Sequence, residues 1–222
     1  MKQTWHDLLF AHWPLPAEIL RPLVPSQLTL DTFDSQAWLA VTPFRMSGVR
    51  PRGLPALPGL SKFPELNVRT YVTHNNKPGV YFFSLDAANL PAVWAARMLY
   101  HLPYFHATMS SEDRDGAIDY SSLRHGSPAE LQARYRPKAD IHFRQNGSVE
   151  HWLTERYCLY TVHLGRVYRG EIHHQPWPLQ DAEAEFQVNT MAKEVGFSLP
   201  LTAPLLHFAR VLEVLIWPLR PA

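Results

Sequence analysis

Four side chains of very different chemistry occupy alternate positions in FPELNVRTYV, residues 63–72: Glu65, Asn67, Arg69 and Tyr71. Leu66, Val68, Thr70 and Val72 fall between them, and this period of two predicts a β-strand. Side chains two apart on a strand lie about 6.5–7 Å apart along one face. Asn67 can therefore touch both Glu65 and Arg69, which need an intermediary to meet each other. Such a row is costly to bury unless every member is paired. The face meets water, satisfies itself as a network, or lines a polar pocket. In a pocket, the arginine fork suits both oxygens of a carboxylate, and a glutamate suits proton transfer.

TERYCLY (154–160) carries a second set. Glu155 and Tyr157 share one parity, and Glu155 reads as a general base or as a salt-bridge partner for an arginine. Cys158 alternates with aromatics, which favours an inert buried thiol, because reactive cysteines need an accessible, electropositive setting. Among the twelve histidines, no spacing matches a zinc motif such as H-E-x-x-H. His173 and His174 are adjacent and point to opposite faces of a strand. No phosphate-cradling glycine loop and no G-x-S-x-G elbow occurs, so no metal and no cofactor is expected. Trp177, between two prolines, is either a pocket wall or a loop anchor.

A net charge of +1 with 18% charged residues argues against a nucleic-acid partner, which ordinarily meets a basic stripe. A 46% hydrophobic content supports a sizeable core, and disordered chains are less apolar. The single cysteine excludes an internal disulfide framework and fits a reducing compartment. The N-terminal residues lack an apolar run of signal-peptide length. Arg210 and Glu213 interrupt the apolar C-terminal stretch before it reaches the roughly 20 residues of a membrane span. The expectation is a cytoplasmic protein with no membrane partner, folded as one domain over 1–222.

Twenty prolines, against an average usage of about 5%, punctuate turns and strand ends. A short helix is expected over Pro16–Val24, with strands over LTLDTF and AWLAVTPFRM. Ser47–Pro64 reads as a long loop, either a lid or a crossover held rigid by prolines. FPELNVRTYV and GVYFFSLDA flank the turn signal HNNKPG and predict a hairpin. NLPAVWAARMLYHL predicts a helix capped by Asn89. Residues 111–128 are a loop or a sharply turned hairpin. LQARYRP, DIHFRQ and EAEFQVNTM read as strands, SVEHWLTE as one helical turn, and RYCLYTVHLGRVYRGEIHH as a hairpin. For 204–217 a helical face and a strand fit equally well. Many strands and one clear long helix predict a mainly β fold, a barrel or sandwich with flanking helices.

Several stretches then carry a resemblance over most of the chain: LLFAHWPLPAEILRPLVPSQLTLDTFDSQAWLAVTPFRM, FPELNVRTYV, PGVYFFSLDAANLPAVWAARMLYHLPYF, and TERYCLYT with YRGEIHHQPWPLQ. They resemble the YqjF-like family of uncharacterised, mainly bacterial proteins, which is similar in architecture to acetoacetate decarboxylase. The resemblance implies a closed barrel, mainly antiparallel, with a polar or amphipathic cavity.

The decarboxylase uses a Schiff-base lysine whose pKa a neighbouring lysine depresses, and two glutamates ahead of the strand equivalent to PELNVRTYV. Here the lysine pair falls at LPYF, where Tyr104 and Phe105 stand instead. The five lysines are Lys2, Lys62, Lys77, Lys138 and Lys193, and Ser35–Pro64 contains no acid. Decarboxylation is therefore not carried over. The expectation is a barrel that holds a small, partly apolar carboxylate or carbonyl compound. Arg45 or Arg69 would hold the anion, and Glu65 or Glu155 would move a proton. Asn67, Tyr71, Tyr104 and Tyr157 would contact the ligand. Two alternatives stand beside this enzyme: a non-catalytic carrier, and an interaction protein whose barrel is filled by side chains.

Overall fold

Residues 2–16 form the first strand, an element that pattern reading leaves unassigned. The computed structural model describes residues 1–222. Strand β1 (Lys2–Pro16) is followed by a turn of helix, α1 (Ala17–Leu20), and a 3-10 turn at Arg21–Leu23. Alternation in β1 is broken for two reasons. Asp7, at φ 51°, sits in a bulge where β1 carries one residue more than its partner. Beyond it the strand is buried on both faces: Leu8 and Phe10 enter one core, Leu9 and Ala11 another.

Of LTLDTF, only β2 (Thr29–Leu30) is strand. The next strand, β3 (Gln36–Arg50), runs further than its alternation predicts, because Gly48 at φ 63° takes a second bulge. The long connection thus shrinks to 51–62. β4 (Phe63–His74) and β5 (Lys77–Ala87) form the expected hairpin. Asn75 and Asn76, both at positive φ, make its two-residue turn. In α2 (Leu90–Tyr100), the Asn89 side chain accepts from the backbone N–H of Ala92 at 3.0 Å.

β6 (Tyr104–Arg114) and β7 (Ala117–Arg124) resolve 111–128 as a hairpin, and β8 (Glu130–Pro137) pairs with β7. DIHFRQ is not a strand: it makes one isolated bridge, His142 with Leu179. Helix α3 (Val149–Thr154) is capped by Ser148. β9 (Cys158–His163) and β10 (Arg166–His173) are the expected hairpin, and β11 (Gln180–Asn189) follows. The ambiguous C-terminal segment is a strand, β12 (Leu205–Ile216), because it pairs with β1 from Lys2 to His12. β13 (Arg220–Pro221) closes the chain.

One mixed sheet runs β13-β10-β9-β5-β6-β7-β8-β11-β12-β1-β3-β4-β2, with further pairings β10–β12 and β5–β4. The expectation of an antiparallel sheet is corrected here: β5 runs parallel to both β6 and β9. The reason is the crossover. Helix α2 carries the chain from the end of β5 back to the start of β6, so the two strands share a direction. Gly79 allows β9 to come close, since a Cβ there would lie 2.8 Å from the Cys158 carbonyl oxygen.

Strands β1, β3 and β4 are shared between two cores. Phe44, Met46 and Tyr71 face one, and Leu39, Val41, Leu66 and Val68 face the other. No helix is long and apolar enough to cross a membrane.

Candidate functional site

The polar face of β4 points into the first of these cores, and the packing there is incomplete. A cavity of about 80 Å³ remains, lined mostly by apolar side chains including Trp5, Phe44, Phe82, Leu159 and Trp177. That is room for several waters or one small organic molecule. A second space of about 130 Å³ lies beneath α2 and shares Met1, Gln3, Glu65, Ala96, Tyr100 and Tyr104 with the first. Glu65 and Tyr104 thus stand where the two spaces meet.

Of the expected residues, Glu65, Asn67, Arg69 and Tyr104 line the cavity. Glu65 is buried and accepts a hydrogen bond from the Tyr104 hydroxyl at 2.9 Å. Burial pushes its pKa up from 4.5 to about 8; the Tyr104 bond opposes this, and Asp86 adds to it. At neutral pH Glu65 therefore carries a proton and can donate it. Tyr104 is held well above its ordinary range, first by burial and then by Glu65. Asn67 Oδ1 and Arg69 Nε are buried with no hydrogen-bond partner in the protein. The row does not satisfy itself, and buried polar atoms without partners are the exception in native structures.

Tyr71 turns away from the cavity. Its hydroxyl meets His12 Nε2 at 2.6 Å inside the core. Arg45 is displaced as well. On β3, Phe44 and Met46 take the core side, so Arg45 faces outward and pairs with Asp7 at 2.8 Å. It lines a polar surface cleft with Lys62, Ser111, Asp113 and Arg210. Glu155 and Tyr157 stand behind the wall. Glu155 accepts from the Tyr157 hydroxyl and from the Trp177 backbone N–H at 3.1 Å. Trp177 is both a wall and an anchor, buried and edge-on to Phe10 at 4.8 Å.

Sequence reading missed Arg156 and His174, which also line the cavity. Arg156 binds Asp31 at 2.6 Å and the Trp152 carbonyl at 2.6 Å, lies over the Trp152 ring at 4.2 Å, and leaves Nη2 without a partner. The only signal for it was position: it is the residue between Glu155 and Tyr157, on the other parity. His174 Nδ1 lies 2.7 Å from the Gln175 carbonyl oxygen. A carbonyl only accepts, so Nδ1 carries the proton and Nε2 is the acceptor. Burial lowers the His174 pKa and keeps the ring neutral. With Glu65 and His174 both uncharged and Arg156 paired to Asp31, Arg69, which pairs with no carboxylate, gives the cavity a positive bias. Such a site suits an anion with an apolar body.

The comparisons agree with this architecture. The family model DUF2071, described as an uncharacterized conserved protein, matches residues 2–213. The uncharacterized protein YqjF of Bacillus subtilis is 52% identical over 221 residues, covering 99% of this chain and 91% of that one. Among solved structures, the enduracididine biosynthesis enzyme MppR complexed with pyruvate superposes at TM-score 0.69 with 10% identity, covering 99% of this chain and 89% of that one. Acetoacetate decarboxylase from Legionella pneumophila gives 0.64 with 10% identity, covering 98% and 85%. An acetoacetate decarboxylase-like enzyme from Sphingomonas wittichii gives 0.63 with 12%, covering 100% and 93%. At these identities the likeness is one of fold.

Proposed function

The chain belongs to the DUF2071 family, and from that premise and the cavity we propose that it binds a small, partly apolar carboxylate or carbonyl compound. Residues 1–222 act as one unit. The ring of pairings through β5, β4, β3, β1, β12, β10 and β9 serves as the wall of a barrel around the ligand. Arg69 takes the carboxylate, with Arg156 beside it. Asn67 orients the ligand, and Glu65 donates its proton to a carbonyl oxygen. His174, as the neutral acceptor, receives a proton from the ligand's adjacent carbon. Two groups whose environments push their pKa values apart are suited to be acid and base.

The single observation that carries this reading is the meeting, in one apolar cavity, of a neutral buried carboxyl and a guanidinium with an unpartnered nitrogen. The reading contains no Schiff base, since no lysine is among the lining residues. Pyruvate bound to MppR supports the ligand class only by analogy of fold.

A melting-point screen with short-chain carboxylic and keto acids tests it. A ligand at about 100 times its Kd stabilises by about 2.7 kcal/mol. For a domain of this size that is a rise of roughly 5–10 °C. Arg69→Ala is expected to fold and to lose the rise, while amides of the same shape raise the melting point in neither protein. If no acid shifts the wild type, or if Arg69→Ala responds equally, the reading fails.

A further inference from the structure

Helix α2 carries a single charged residue, Arg97, and is otherwise apolar in its side chains apart from the Tyr100 hydroxyl. Val93 faces inward and is buried, while Ala96 and Tyr100 line the cavity. Leu90, Trp94 and Met98, spaced four apart, make a stripe on the outer side, with Leu99 next to it. The apolar face of a helix is ordinarily covered. The 51–62 connection lies along the same helix. Asn89 at the helix start donates to the Gly59 carbonyl at 3.3 Å. Val49 and Phe63, which bracket the connection, share the space beneath α2 with Ala95 and Leu99. Leu54, Leu57 and Leu60 belong to this connection and are exposed as well.

These seven large side chains are each between 44% and 73% exposed. Together they present the equivalent of about four complete side chains, on the order of 700 Å². A monomer ordinarily leaves about 300–600 Å² in its largest apolar patch, whereas one partner of a stable interface contributes about 800 Å². The composition points the same way. Residues 35–64 and 87–111 contain no aspartate or glutamate and a single lysine, Lys62. Interface centres are rich in aromatics, Met and Arg and poor in Lys and acids. The arginines are engaged within the chain: Arg97 with the Tyr104 carbonyl at 2.6 Å, Arg52 over the Trp217 ring at 4.5 Å, and Arg50 with the Gly48 carbonyl at 3.1 Å. The exposed apolar area approaches one side of a stable protein interface, which favours a protein partner. Two-fold homo-association is the commonest such arrangement.

We propose that the outer face of α2 and the 51–62 connection form the contact between two copies of this chain about a two-fold axis, with Trp94 and Met98 near its centre. The contact lies directly over the helix that roofs the cavity.

Sedimentation velocity and light scattering on the full chain at about 50 μM test this. The expected mass is twice 25.5 kDa, or an even multiple of it. A Trp94→Glu, Met98→Glu double variant is expected to weaken association at least 100-fold, so that the mass falls by half with unchanged circular dichroism. Leu54→Glu, in the connection rather than the helix, is expected to weaken it at least 10-fold. A monomeric wild type overturns the proposal, as does a double variant that keeps its mass. A monomer that co-sediments with anionic phosphatidylglycerol vesicles overturns it in favour of a lipid surface.

Discussion

Glu65→Gln is expected to make the protein more stable than the wild type at pH 9, by roughly 3–6 kcal/mol, and to change it little at pH 4. The physical cause is burial, which raises the Glu65 pKa from 4.5 to about 8 on folding. Between those values the folded state binds more protons than the unfolded state. Stability therefore falls as pH rises through this window, and levels off above about 8. Below 4.5 the carboxyl is neutral in both states and contributes no slope. Glutamine keeps an acceptor for the Tyr104 hydroxyl and has no charge to desolvate. Urea unfolding at pH 5, 7 and 9 measures the effect, and parallel wild-type and variant profiles would sink it.

The acid limb of the same profile has the opposite sign. Burial, followed by Arg144, lowers the His207 pKa from 6.5 to about 4, and burial lowers His12 and His174 as well. The unfolded state binds more protons there, so stability rises with pH from about 4 to 6.5. Asp86, whose pKa burial also raises, acts on Glu65 through charge repulsion, so the difference between the two proteins includes that coupling. The two windows overlap between 4.5 and 6.5, where the slopes oppose each other, and Glu65→Gln removes the falling slope and so moves the optimum upward. A gain in stability on removing a group that the proposed chemistry needs is the expected trade at a functional site.

Asp86→Ala is expected to cost about 3–5 kcal/mol. Asp86 on β5 and Arg124 on β7 are both buried, and Asp86 Oδ1 lies 2.9 Å from Arg124 Nε and 2.7 Å from Nη2. The guanidinium also sits 4.0 Å over the Phe105 ring. Removing the carboxylate leaves that guanidinium buried and uncompensated, which is more costly than the pair is worth. The double change Asp86→Leu with Arg124→Met is therefore expected to regain most of the loss. Denaturant midpoints of the wild type, both single variants and the double variant complete the cycle. A single variant within about 1 kcal/mol of the wild type would show that water reaches the pair.

The legibility of this protein follows from how many faces of each strand are buried. The β4–β5 hairpin was readable because β4 presents a polar row to the cavity and an apolar row to the second core, and because two asparagines fit its turn. Helix α2 was readable from Asn89, Pro91 and its length. Strand β1 was not, since its middle is buried on both sides and Asp7 breaks its period. The end of β3 was hidden by Gly48, where local chemistry says turn and the ladder continues through a bulge.

The candidate site divides in the same way. The alternation of Glu65, Asn67 and Arg69 placed them on one face before any contact was known. Alternation is a property of the backbone, so sequence alone determines it. Which face looks into the cavity, and that Arg45, Tyr71, Glu155 and Tyr157 do not, was decided by tertiary packing. Arg45 is drawn off by Asp7, Tyr71 by His12, and Glu155 by Tyr157 and Trp177. Asp7, His12 and Trp177 are distant in sequence from the residues they hold, and only Tyr157 is a near neighbour. Arg156 and His174 reach the cavity only because β9 and β10 join the ring of strands beside β5. The Glu65 proton has the same origin: a carboxyl titrates near 8 only where the fold has removed water from around it.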